Sequence, residues 1–121
     1  MDHSQLLSAF STLPQIDTTA NELQLIGTKI HWSGLVGSSR SISASQVAKQ
    51  APGNHLFILE DKEQAAYFLN DLQGLYPKET TVLFYPASYR VPYELEKTDN
   101  ANVVSRAEVL ERISNTKNTW V

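Results

Sequence analysis

The sequence predicts an α/β fold, a parallel sheet flanked by helices, on three observations. A glycine-bearing loop, Gly34 to Ser41, lies between a weakly alternating segment and a helical one. Two short apolar runs, Leu56-Phe57-Ile58-Leu59 and Val82-Leu83-Phe84-Tyr85, are separated by a stretch of helical periodicity. The last residues, Thr119-Trp120-Val121, read as a strand that has only begun, so the expected sheet is incomplete within this chain. Strands alternating with helices of this length favour parallel pairing through helical crossovers.

The elements follow in order. Leu6, Leu7, Phe10 and Leu13 recur at helical spacing over residues 2–13, and Pro14 closes that run. Thr19 followed by Glu22 has the spacing of a capping box, which predicts a second helix from Ala20 to Ile26 with Gly27 just beyond it. Ile30 and Trp32 alternate with polar residues as a strand leading into the loop does. A helix then runs to Ala51 with Ile42, Val47, Ala48 and Ala51 inward, stopped by Pro52-Gly53. The unbroken apolar run at 56–59 predicts a strand covered on both faces. Lys62 to Leu75 predicts a helix burying Ala65, Ala66, Phe68, Leu69 and Leu72. The run at 82–85 predicts a strand closed by Pro86, and residues 87–101 a loop carrying Val91-Pro92-Tyr93-Glu94. A final helix from Val103 to Ser114 is expected to face inward through Val104, Ala107, Leu110 and Ile113.

Composition bounds the function. The 121 residues suit one domain, and 41% hydrophobic content suffices for a core. A net charge of −3 lacks the basic footprint of an autonomous DNA-binding module. There is no cysteine, hence no disulfide frame or thiolate metal site, which fits a reducing cytoplasm. No apolar run approaches the roughly 20 residues that span a bilayer, so no membrane partner is expected. Met1-Asp2-His3-Ser4 lacks the basic lead of a signal peptide.

The chemical candidates centre on the loop. A phosphate-binding loop reads Gly, four residues, Gly, Lys, then Ser or Thr. This chain keeps Gly34 and Ser41 at the ends, with Gly37 and Ser38 between, but has Ser39 for the second Gly and Arg40 for the Lys. Without that Gly the backbone cannot close freely on phosphates, and a forked guanidinium is not a compact ammonium. The loop therefore reads as a vestigial phosphate cradle, and the competing reading is a working site in which Arg40 replaces the Lys. Asp61, after an apolar run, fits a magnesium-holding acid or the cap of the next helix, with Gln64 completing the box. His3, His31 and His55 have no metal-ligand spacing, so no metal is expected. No Gly-x-Ser-x-Gly elbow marks a nucleophile, and Glu94 and Glu96 read as solvated loop acids. Arg106 reads equally as a surface charge or as an anchor for the loop before it.

Three features together resemble the N-terminal region of the bacterial transcription-repair coupling factors (the Mfd family). They are the Gly34–Ser41 loop, the Phe84-Tyr85-Pro86 segment leading to Pro92-Tyr93-Glu94, and the helix containing Arg106 and Leu110. The resemblance covers residues 30–121 and leaves residues 1–29 as N-terminal helices without an assigned role. It implies the opening subdomain (1a) of a module similar to the excision-repair helicase subunit UvrB, a decayed RecA-like helicase sheet with no catalytic residue of its own. Pro92, Tyr93, Glu94 and Arg106 are structural motif positions in that reading, and Tyr93 folds back to be tied down by Arg106. No cofactor is implied here, since ATP and magnesium belong to the parent's motor, an ATP-dependent DNA translocase. The implied partners are neighbouring domains of the same chain and, for the parent, RNA polymerase, UvrA and double-stranded DNA.

Overall fold

The computed structural model describes residues 2–76, 81–87 and 100–121. Its helices are α1 (His3–Ser11), α2 (Pro14–Glu22), α3 (Ser39–Gln50), α4 (Lys62–Leu75) and α5 (Asn100–Asn115). This overturns the expected α/β fold, and with it the RecA-like helicase sheet: the protein is helical, and no strand forms among the described residues. Parallel pairing is confined to isolated bridges from Trp120 to His55 and to Val82. Parallel ladders are slightly weaker per residue than antiparallel ones. Here each extended segment meets its neighbour over too few residues to propagate one. Residues around Ile30 and Trp32 form no strand either.

The chain divides into two compact units, Met1–Pro52 with Asn70–Lys78, and Gly53–Leu69 with Glu79–Val121. In the first, α1 and α2 pack on α3. Ile16, Ala20, Val47 and Ala51 form the buried cluster, and Trp32 packs against it. Ile42, Val47, Ala48 and Ala51 are buried as their spacing predicts. The expected helix at 20–26 is displaced toward the N-terminus, because Pro14 opens α2 as well as ending the run before it. Proline at the first helical position has its φ already set and needs no amide partner. Thr19 consequently lies inside α2 and caps nothing; its hydroxyl oxygen accepts the Trp32 indole N–H at 3.1 Å. Gly27 takes φ +83° at the end of the turns that follow, a left-handed conformation glycine adopts without strain.

The second unit is organised on Thr119–Val121. Thr119 O accepts the His55 amide, and Trp120 N–H donates to Thr81 O at 3.0 Å. Trp120 is 3% exposed, and its ring meets those of His55 and Phe57 edge-on, at centroid distances of 6.4 and 6.2 Å. Two asparagines fix the register. Asn118 Oδ1 accepts the Gly53 amide and Asn54 Oδ1 accepts the Thr119 amide, at 2.9 and 3.0 Å. Asn118 itself takes φ 61°, which asparagine tolerates better than most residues.

Burial alternates strictly along 53–60, with Leu56 69% and Ile58 84% exposed. The segment expected to be covered on both faces is thus covered on one. In α4, Leu72 is buried as predicted and Ala65, Phe68 and Leu69 are half-buried, but Ala66 is exposed. The face of α5 is also rotated from expectation: Val109 is buried while Val104, Ala107 and Leu110 are exposed. The reason is Arg106, half-buried on the inward line, whose guanidinium lies 4.8 Å over the Tyr85 ring. A long side chain can cover apolar surface with its stem while the charged head stacks on an aromatic face.

Candidate functional site

The loop leading into α3 turns at its two glycines and engages part of its own backbone. Gly34 and Gly37 take φ +79° and +55°, so the chain turns through left-handed positions there. The amides of Val36, Ser39 and Arg40 are engaged inside it. Val36 N–H donates to Ser39 Oγ at 2.8 Å, and the Ser39 hydroxyl returns a bond to Val36 O at 2.7 Å. Ser39 N–H donates to Val36 O and Arg40 N–H to Gly37 O, at 3.2 and 3.3 Å. Ser39, where the second Gly of a phosphate loop belongs, therefore closes the turn on itself. Ser38 occupies the cap position of α3 without a side-chain cap bond, and Arg40 is exposed on the first turn.

Ser41 is 1% exposed. Its Oγ lies 2.9 Å from Ser38 O and 2.5 Å from Asp71 Oδ2, so its single proton serves one of two acceptors already in place. One turn along the helix, Ser45 and Gln46 meet Tyr76. Gln46 Nε2 donates to Tyr76 Oη at 2.7 Å, and Ser45 Oγ donates to Ile42 O at 2.7 Å. The 3.1 Å contact between the two hydroxyls then runs from Tyr76 to Ser45, since the serine proton is already committed. Lys49 Nζ stands 4.8 Å over the Tyr76 ring. Among the described residues, no buried side-chain nitrogen or oxygen lacks a partner. This array holds α3 to residues 71–76 and leaves no buried side-chain nitrogen or oxygen of its own unpaired.

Asp71, Tyr76, Gln46 and Ser45 were not legible as a set. Ser41 and Ser45 share a helical face at i, i+4, but that spacing alone does not specify partners about thirty residues away.

The remaining candidates are dispersed. Asp61 accepts the Gln64 amide at 2.8 Å, the cap geometry of the two readings the sequence allowed. No group of three or more His, Asp or Glu capable of holding a metal occurs among the described residues. Arg106 lies on Tyr85 in the second unit, while Pro92, Tyr93 and Glu94, together with Glu96, fall outside the described residues. No helix is long and apolar enough to cross a membrane among the described residues. No protein family, curated protein or solved structure matches this chain.

Proposed function

We propose that the chain is a non-catalytic N-terminal segment of a transcription-repair coupling factor. In this reading the parent uses ATP and magnesium elsewhere to displace stalled RNA polymerase from double-stranded DNA, and recruits UvrA. The segment itself serves as a scaffold for neighbouring domains in the cytoplasm. The family assignment rests on the loop, on Pro92-Tyr93-Glu94 and on the Arg106 helix. The non-catalytic role rests on one observation: the Val36, Ser39 and Arg40 amides are bonded within the loop, and the buried Ser41 hydroxyl faces Ser38 O and Asp71.

A second reading, a working nucleotide site built on Arg40, has one observation in its favour. Phosphate-loop enzymes hold magnesium with a loop hydroxyl and a nearby Asp, and Ser41 lies beside Asp71. Burial favours the first reading, because Ser41 is 1% exposed and offers an ion no approach without rearrangement of α3. Titration with fluorescent ATP and magnesium separates the two. The scaffold reading expects no saturable binding up to millimolar nucleotide. Micromolar binding abolished by both Arg40→Glu and Asp71→Ala would overturn it. The coupling-factor assignment is tested on the complete gene product, which must contain an intact phosphate loop and displace a stalled polymerase with ATP.

A further inference from the structure

Among the described residues, the segment around Phe57 keeps an unused hydrogen-bonding edge beside an exposed apolar face. Its inward bonds are His55 N–H to Thr119 O, Val121 N–H to His55 O and Phe57 N–H to Val121 O. Successive residues of extended backbone direct their amides to opposite sides. Leu56 and Ile58 therefore turn their N–H and C=O groups outward, and neither has a backbone partner among the described residues. The side chains of these same residues are 69% and 84% exposed. An open edge with apolar side chains is a template for strand pairing.

We propose that this edge pairs with the same edge of a second copy of the chain, antiparallel about Phe57. The register follows from the outward groups: Leu56 of one copy stands across from Ile58 of the other, and each such pair exchanges both of its backbone bonds. That alignment also makes the exposed Leu56 and Ile58 side chains cross-strand neighbours on one face. Charge selects the direction. Glu60 and Asp61 sit at one end of the segment, so parallel pairing stacks like charges, whereas antiparallel pairing separates them. It sets Glu60 across from Asn54, whose side-chain oxygen already accepts the Thr119 amide and whose NH2 is left to donate. The opposite edge, at Val82, is a poorer template because Val82, Leu83 and Phe84 are already half-buried.

Sedimentation equilibrium on the 121-residue chain over a concentration series tests this, with the mass expected to rise from 13.5 kDa toward twice that value. Ile58→Pro removes an outward donor and no inward one, and Ile58→Lys removes the apolar contact and adds charge. Each is expected to weaken association by at least about tenfold. Val104→Lys, an exposed apolar position on α5, is expected to leave it unchanged. Hydrogen exchange on the unaltered protein gives a second readout: the Leu56 and Ile58 amides slow as concentration rises. A constant monomer mass, growth beyond two copies, or loss of association in Val104→Lys overturns the proposal.

Discussion

Both compact units bury apolar and polar side chains and leave some apolar ones exposed, but the unit containing α3 buries the larger polar set among the described residues. In the unit containing α3, Ser41, Ser43, Ser45 and Gln46 are buried beside a modest apolar cluster. In the unit containing Trp120, apolar Leu56, Ile58, Val104 and Leu110 stand in solvent. The difference teaches that partner geometry, more than residue type, assigned burial here. A hydroxyl can be buried at little net cost once its donor and acceptor needs are met. Leucine gains nothing until another surface arrives to cover it.

The largest effect is expected where one side chain organises a whole unit. Trp120→Ala removes the buried indole that packs edge-on against His55 and Phe57, at a cost of about 3–5 kcal/mol. Urea unfolding followed by circular dichroism measures it, and Trp32→Ala, a half-buried indole of the other unit, is expected to lose less. Equal losses would break the contrast between a unit hung on one residue and a unit with a distributed core.

The next effect sharpens the polar side of the comparison. Tyr76→Phe leaves the Ser45 hydroxyl without the Tyr76 donor and Gln46 Nε2 without an acceptor, for about 1–3 kcal/mol. The same measurement on Tyr67→Phe, whose exposed hydroxyl makes only a 3.5 Å contact to Glu63, is expected to show almost none. If both tyrosines lose equally, the buried array is not holding α3.

Smaller changes test local structure. Asp61→Ala removes the α4 cap and is expected to cost about 1 kcal/mol, with Asp61→Asn recovering most of it. Glu108→Ala breaks the exposed Glu108–Arg112 pair, 3.2 Å apart, and is expected to change stability by no more than about 0.5 kcal/mol.

Several elements were legible because their causes are local. The helix expected from Lys62 to about Leu75 formed over those residues, since helical spacing carries it and Asp61 accepts the Gln64 amide at its start. The inward face of α3 followed from periodicity in the same way. The misreadings came from two sources. Pro14 serves two helices at once, and the capping-box reading of Thr19 and Glu22 ignored its ability to start one. The face of α5 was read from its apolar residues, while Arg106 took the inward line through Tyr85, a partner remote in sequence.

The loop at 34–41 shows both limits. Its turns were legible from Gly34 and Gly37, and Ser39 and Arg40 marked its departure from the phosphate-loop pattern. How the loop is held depends on Ser39 folding back on Val36 and on Ser41 finding Asp71.

The sequence by itself determined the extent of α4 and the inward face of α3, and that residues 34–41 lack the second glycine and the lysine of a phosphate loop. These are matters of residues within a few positions of one another, governed by dihedral preference and adjacent hydrogen bonds. Only the tertiary structure decided that the apolar runs at 56–59 and 82–85 form no sheet among the described residues, and that Ser41 and Ser45 on α3 find Asp71 and Tyr76. Both outcomes depend on which distant group arrives to complete a hydrogen bond or cover a face. Local sequence sets the preference for extended or helical backbone, but pairing and burial are settled by partners far along the chain.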